Sequence, residues 1–534
     1  MNEVVFRLIA SVLSGVLFCM ATEKLLGAIQ QGGYKNENFM RWLKRKDNLF
    51  FNRLCVLTLC LLLSTAVVSL CFSFLGIKAA LLISALPFMV LLLAFCYVDE
   101  RYALKVKAVP TGRYKRLGFV YFFFVTSVSY LWIALLFFLA RWNGSKIYHL
   151  IAYVPFNVMP LLLPALFMLA NAVTGIFEKI RNDKFVAKAQ KKLLESDVIK
   201  VAIVGSYGKT SVKNILKTIL QEKYTVVETP ESYNTPMGIA KTVFSEEFDG
   251  KQVFIAEMGA RKQGDIAELC SIVKPDYAIF TGVCAQHVQT FGSLENVWLE
   301  KKEILKTDAQ CIVCGESVTA LAKEEFGGLE KVLFVDNRQV KDVELTATGA
   351  SFALTVGEKT FTATTSLLGE AAVENVLLAA TLAFEMGLSA EEISSGIKKL
   401  QPTAHRLQLL KNNGVYILDD SYNCNVKGAK NAISALERFT GRKCIVTPGI
   451  VECGILEESI NGELGAMIAS ANIDKVIFVG ETLVGALKSG YIGAGGNAEA
   501  MTCVSDLERA KNVLSDWLRK GDAVLFLNDL PDVY

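Results

Sequence analysis

The chain has 534 residues, 52% of them apolar and 20% charged, with a net charge of +3 and a mean hydropathy of +0.37. At roughly 150 residues per domain, that is room for about three domains. The balance excludes a disordered or fibrous chain, and a charge this close to neutral makes no case for nucleic acid as a partner.

The long apolar runs all lie in residues 1–177. Five stretches, near 4–21, 54–76, 80–98, 117–140 and 149–176, approach the ~20 residues that a membrane-crossing helix needs. The first reads as a span and not as a secretory signal, because no small-residue cleavage site stands out and four more stretches follow. The links between them differ in charge. Segment 22–53 carries Lys24, Lys35, Arg41, Lys44, Arg45, Lys46 and Arg53, and segment 99–116 carries Arg101, Lys105, Lys107, Arg113, Lys115 and Arg116. The other two links offer only Lys78, and Arg141 with Lys146. The positive-inside rule assigns the two basic links to the cytoplasm. Five spans then put the N-terminus outside and everything after residue 177 inside. The basic stretch Glu178–Lys200 reads equally as a helix on anionic headgroups or as a solvated linker helix.

Thirteen cysteines are scattered with no disulfide-type spacing, which suits a reducing compartment. The Cys-x-x-Cys of Cys311 and Cys314 lies in an apolar run that reads as a strand, and zinc would need a second ligand pair that is not apparent.

From residue 199, short apolar strands alternate with helical patterns, which predicts a parallel sheet with crossover helices. The strands are expected at 199–204, 252–257, 276–281, 310–314 and 331–335. Residues 342–366 alternate apolar and polar in three segments, as in an antiparallel insert. Helices are expected at 372–386 and 389–400, a hinge over Gln401–Leu410, and a second α/β unit from 414 with strands near 415–419, 443–447, 475–479 and 522–527.

The first of these strands runs into Gly205-Ser206-Tyr207-Gly208-Lys209-Thr210-Ser211 and then a helix to about Gln221. Strand, glycine turn and helix N-terminus make an anion site: backbone N–H groups and the helix dipole face the phosphate, and the lysine neutralises its β/γ end. Thr210 offers a hydroxyl to Mg²⁺. The loop is shorter than the ordinary Walker pattern, since Ile203 stands where its first glycine belongs. Glu257, at a strand's carboxyl end, faces the crevice where α/β proteins bind ligands. His287 follows the strand 276–281, and Lys301 lies on a helix with Ser293 at its cap position. Taken singly, each of the three is equally a surface charge or a hydrogen-bonded surface residue.

Seven runs, in order, resemble the Mur ligase family: the loop Gly205–Ser211, then Ser232-Tyr233-Asn234-Thr235, Glu257-Met258-Gly259-Ala260, His287 with Phe291-Gly292-Ser293-Leu294, Lys301, Arg406-Leu407-Gln408, and Asp419-Asp420-Ser421-Tyr422-Asn423-Cys424-Asn425. The chain is most similar to the family branch that adds D-alanyl-D-alanine. Three domains are expected: from the apolar runs a five-span membrane region at 1–178, and from the resemblance a P-loop central domain at 179–404 and a Rossmann-like C-terminal domain at 405–534. The resemblance also implies an ATP-dependent, ADP-producing ligase of peptidoglycan precursor synthesis that works through an acyl phosphate; the spans would hold it in the bacterial cell membrane with its catalytic domains cytoplasmic. Lys209 and the loop amides would hold ATP. Thr210 and Glu257 would bind one Mg²⁺ and His287 a second, near a carbamylated Lys301. Asn375 would lie near the adenine, Arg406 and Asp420 would reach the nucleotide, and Asn234 and Thr235 would flank the acyl substrate. The partners implied are a nucleotide- or lipid-linked cell-wall precursor, an amino acid or dipeptide, and the bilayer.

The sequence departs from the family pattern in four places. Spans stand where the domain that holds the UDP part belongs. Ala371-Ala372 replaces the usual His-Asn pair before Asn375. Pro448-Gly449-Ile450-Val451-Glu452 replaces Gly-Asp-Met-x-Glu, and Asn528–Asp532 stands where the D-alanyl-D-alanine-adding branch has Lys-Gly-Ser-Arg. These leave the substrates open. The alternatives are a ligase or amidating enzyme acting on a lipid-linked precursor, or a membrane scaffold or transporter with a regulatory nucleotide lobe.

Overall fold

The computed structural model describes residues 3–44, 48–71, 77–100, 108–142, 157–230, 233–284, 291–335, 337–422, 424–451 and 453–528. The chain divides into two compact units between Asn182 and Asp183.

In the first unit the apolar runs form long helices: Glu3–Ala21, Phe50–Cys71, Ile77–Glu100, Gly112–Trp142 and Met159–Glu195. Among the described residues, four stretches are long and apolar enough to cross a membrane, Glu3–Ala21, Phe50–Val68, Gly112–Phe138 and Met159–Glu195, while Ile77–Glu100 contributes the shorter Leu86–Val98. Large apolar side chains cover their outer sides: Phe119 is 71% exposed and Leu131 64%. Phe18, Leu25, Phe39, Tyr121 and Phe167 are buried between them. The basic link 22–53 folds into two further helices, Glu23–Gln31 and Asn36–Lys44. Leu25, Ala28, Ile29 and Phe39 are their buried residues, a pattern too brief to stand out beside the spans.

The helix Met159–Glu195 continues past its apolar stretch. In the second unit, Phe185, Val186, Ala189 and Leu193 on its last turns pack with Phe248 and Phe254. Over Phe185–Leu193 the apolar stripe of the basic stretch Glu178–Lys200 thus covers protein, while Lys184, Lys188 and Lys191 on its other side are exposed.

The second unit begins with β1 (Ile199–Val204), β2 (Val226–Glu228), β3 (Val253–Glu257), β4 (Tyr277–Phe280), β5 (Cys311–Cys314) and β6 (Val332–Phe334). They form a sheet in the order β2-β3-β1-β4-β5-β6, parallel throughout. Successive strand residues face opposite sides. Val201, Ile203, Ile255 and Ile279 therefore join one core with the helices Lys209–Leu220 and Glu370–Glu385. Ala202, Val204, Ala256 and Phe280 join another with the helices Pro236–Val243, Asp265–Val273 and Leu294–Lys301. Burial on both faces explains why these strands read as unbroken apolar runs. Cys311 and Cys314 lie on β5 at a spacing that points them to opposite faces, and burial pushes both thiols up to about 12.

The antiparallel insert is β7 (Val340–Thr346), β8 (Gly349–Val356) and β9 (Lys359–Thr365). A second six-stranded sheet follows, from β10 (Gln408–Asn412), β11 (Val415–Asp420), β12 (Lys443–Thr447), β13 (Lys475–Val479), β14 (Met501–Val504) and β15 (Ala523–Leu527), in the order β10-β11-β15-β12-β13-β14. The hinge expected over Gln401–Leu410 is thus in part β10, an antiparallel edge strand paired to β11. Its five residues alternate too weakly to signal a strand by themselves.

Candidate active site

The order of the first sheet places β1 between β3 and β4, at the point where the chain changes its direction of winding; ligands of open α/β sheets bind there, at the strands' carboxyl ends. Three local features shape the loop. Gly208, at the cap position of the helix Lys209–Leu220, has φ +75°, a left-handed conformation that favours glycine. A Cβ on Gly205 would stand 2.0 Å from Thr281 Oγ1. Thr281 in turn donates to the Tyr207 carbonyl, tying the loop to the end of β4.

Two ammonium groups converge inside this turn. Lys209 Nζ donates to the Gly205 carbonyl at 2.9 Å and Lys301 Nζ to the same oxygen at 3.1 Å. Lys301 is only 2% exposed. It is delivered by the helix Leu294–Lys301, which Ser293 caps by accepting from the Asn296 N–H at 3.2 Å and which Trp298 seats by stacking on Phe280. Burial, then the Lys209 charge, brings the Lys301 amine down to about 7. Burial also lowers Lys209; Glu257 opposes that and Arg406 adds to it. Two amines beside one carbonyl, Lys301 buried and Lys209 half-buried, make a site that gains by admitting an anion.

Glu257 closes the other side. It ends β3 opposite Ile203 of β1 and is buried. Its carboxylate accepts from Thr210 Oγ1 at 2.9 Å and Asn234 Nδ2 at 3.2 Å, and Lys213 Nζ stands 3.5 Å away. Gly259 makes room for Asn234, since a Cβ there would lie 2.7 Å from the Asn234 amide carbon. A hydroxyl and a carboxylate side by side are the oxygen donors that Mg²⁺ takes when phosphates and water complete its shell. Among the described residues no group of three His, Cys, Asp or Glu side chains gathers, so phosphate oxygens would have to share such an ion.

The other expected residues take varied places. Asn375 lies against the loop, its Oδ1 3.0 Å from where a Cβ on Gly208 would sit. Thr235 caps the helix Pro236–Val243 by accepting from the Gly238 N–H at 3.3 Å. Ser211 lies in the first turn of the loop helix. The Ser206 N–H is already taken by the Gly282 carbonyl at 2.7 Å, which leaves the later loop amides to face a phosphate. Arg406 lies 4.2 Å from the centre of the Tyr422 ring. Asp420 accepts from the Leu407 N–H at 3.0 Å, and burial raises its carboxyl to about 6 against that bond and the Arg406 charge. His287 lies outside the described residues.

Sequence reading missed Lys213. It is 1% exposed, lies one turn beyond Lys209, and donates to the Thr229 carbonyl at 2.6 Å. It also missed Lys427, which bridges the two sheet domains by donating to Glu374 Oε2 at 2.7 Å and to the Tyr207 hydroxyl at 3.2 Å. The helical spacing of Lys209 and Lys213 puts both on one side of the loop helix but does not tell a buried lysine from a solvated one; nothing local signalled the second.

Residues 203–383 match the Mur ligase middle domain and residues 405–528 the Mur ligase glutamate ligase domain, together more than half of the chain. With this loop at the head of the first sheet and a second α/β sheet behind it, the chain belongs to the Mur ligase family. It is similar to UDP-N-acetylmuramoyl-tripeptide–D-alanyl-D-alanine ligases. It is 30% identical over 305 residues to that of Bacillus subtilis (strain 168), covering 55% of this chain and 65% of that one. It is 30% identical over 295 residues to that of Escherichia coli (strain K12), covering 53% and 64%. The crystal structure of MurF ligase from Thermotoga maritima in complex with ADP superposes with a TM-score of 0.58 at 25% identity, over 66% of this chain and 81% of that one. The chain thus spans 65% or less of the length of these two curated relatives.

Proposed function

We propose that the protein is a membrane-anchored, ATP-dependent ligase that joins a carboxylate to an amine in cell-envelope precursor synthesis. One observation carries the reading: Lys209, Lys301 and the Thr210–Glu257 pair converge on one glycine turn between β1, β3 and β4. The ligases to which the chain is similar support the reaction type, and the ADP complex supports the nucleotide.

In this reading a substrate carboxylate oxygen bonds to the γ-phosphorus of ATP and the bond to ADP breaks. An amine then bonds to the acyl carbon, phosphate leaves, and the amine's proton passes to solvent. Two anions must meet in the first step. Lys209 reduces their repulsion, and the helix N-terminus at Lys209–Ser211 orients the phosphates. Bound Mg²⁺ would supply further charge neutralisation, with Thr210 and Glu257 holding it. Asn375 would border the nucleotide, while Arg406 and Asp420 would approach it from the second sheet. Asn234 and Thr235 would border the acyl substrate. The buried amine of Lys301 suits carbamylation: its neutral form bonds to CO₂, releases a proton and becomes an anion beside Lys209. Mass spectrometry of a gently handled sample tests that step by looking for one added CO₂ on Lys301.

The exposed apolar helices favour a lipid-linked precursor over a soluble one, because a bilayer would hold both enzyme and substrate. Five spans would place the N-terminus outside and residues 183–532 in the cytoplasm of a bacterial cell. An alkaline phosphatase fusion after residue 180 is then inactive; activity would overturn the topology. The function is tested by ADP release from membranes supplied with lipid-linked or UDP-linked precursors and a panel of amino acids and dipeptides. Release that is absent with every pair sinks the proposal.

A further inference from the structure

At one end of the apolar helices of the first unit, two guanidinium groups hold one carboxylate and a third lies within electrostatic reach of all of them. Glu178, just past the apolar stretch of the helix Met159–Glu195, is buried. Arg116 Nε donates to its Oε1 at 2.5 Å and Arg181 Nη2 to its Oε2 at 2.5 Å. Arg113 lies one turn before Arg116, with its guanidinium 4.0 Å from the centre of the Tyr34 ring. It lies within electrostatic reach of Glu178, Arg116 and Arg181, and among the described residues its buried Nε has no hydrogen-bond partner.

Pairing alone does not account for this arrangement. One buried carboxylate calls for one cation, and here two hydrogen-bond to it while a third lies within electrostatic reach. Arg116 and Arg181 each reach Glu178 through one nitrogen, while their side chains stay 45% and 56% exposed. Arg113 is set by a built frame. Tyr34 has φ +60°, unusual for a bulky residue, and Asn171 Nδ2 holds its carbonyl at 3.0 Å. Arginine forks match phosphate oxygens in pairs. Residues at the ends of apolar helices lie at headgroup depth when the helices span a bilayer.

We infer that Arg113, Arg116 and Arg181 form a binding site for the phosphate of an anionic lipid, with Glu178 holding two of the three forks in place. The inference rests on the proposed membrane-spanning reading of the first unit and is independent of the ligase chemistry. The phosphate is that of a lipid and not of a soluble ion, because the cluster closes the end of helices whose outer faces are apolar.

The test uses the full chain in nanodiscs of phosphatidylcholine with and without phosphatidic acid. Lipids that stay bound are counted by native mass spectrometry, with inorganic phosphate and pyrophosphate as soluble competitors. Phosphatidic acid should be retained over phosphatidylcholine by about tenfold, an effect within reach of two or three charge-assisted contacts. Replacing Arg116 and Arg181 alone would leave the buried Glu178 charge unpaired. The decisive variant therefore combines R113Q, R116Q and R181Q with E178Q, and it should lose the preference. A Lys188→Gln/Lys191→Gln control on the same helix should keep it. Equal retention of both lipids, or a preference that survives in the fourfold variant, overturns the site. Displacement of the lipid by equimolar phosphate or pyrophosphate overturns the lipid assignment. A chain that stays out of the discs overturns the membrane reading and the site together, while leaving ADP release as a separate test of the ligase.

Discussion

The two units of this protein are built inside out with respect to each other. In the second, β3 is buried along its whole length, and polar groups collect at strand ends, where Glu257 meets Thr210 and Lys213. In the first, Phe119 and Leu131 face outward, while polar pairs lie inside: the Tyr121 hydroxyl with Thr22, Asn157 with Thr65, and Asn171 with Asn36. The same helical periodicity serves both, and in the proposed membrane-spanning reading the surrounding solvent sets its sign. In water, burying apolar surface drives packing. In a bilayer that drive vanishes between helices, so close fit and interior hydrogen bonds take over.

This contrast can be broken or sharpened by experiment, because changes in one unit should leave the other intact. The largest expected effect is on Lys209→Ala, which should lower ATP turnover about a thousandfold without altering retention in carbonate-washed membranes. Equal turnover would remove the loop from the mechanism. Lys213→Met strands the buried Glu257 carboxylate and should cost about 3 kcal/mol of stability in the second unit. Part of that loss should return on adding Mg²⁺, since a ligand that binds only the folded state stabilises it; a melting temperature indifferent to Mg²⁺ would exclude an ion at Glu257.

A smaller effect concerns pH. The Lys301 amine at about 7 lies below its ordinary 10.5, so between these values the unfolded chain binds more protons than the folded one. Stability should therefore rise with pH across that window, by on the order of 1 kcal/mol per pH unit. The rise should disappear in Lys301→Met, as read by denaturant titration of the full chain in CO₂-free buffer; a slope that persists would mean that Lys301 is not the group responsible. The smallest effect is in the first unit. Tyr121→Phe removes the contact with Thr22 and should cost about 0.6 kcal/mol with ATP turnover unchanged. A loss of turnover instead would show that the helical unit acts on the site.

Much of the site is legible in the sequence. The turn Gly205–Ser211, the acid at the end of β3 and the cap at Ser293 are local patterns, set by chain stereochemistry over a few residues. Lys213 is not: one turn past Lys209 it reads as a solvated charge, and only the packing of the loop helix beside β3 turns it inward. The strand β10 is likewise legible only through its partner β11, because an edge strand is defined by pairing.

By itself, the amino-acid sequence determined where apolar runs lie, which segments repeat with a strand or helix period, and that a glycine turn with lysine opens a helix. These follow from short-range sterics and from each residue's transfer free energy, which the chain carries wherever it goes. Tertiary structure alone decided that Lys209 and Lys301, 92 residues apart in the chain, share one carbonyl, that Arg113 meets Tyr34, and that Lys427 ties one sheet domain to the other. Those contacts join distant segments, and no local rule specifies a distance that only the closed fold creates.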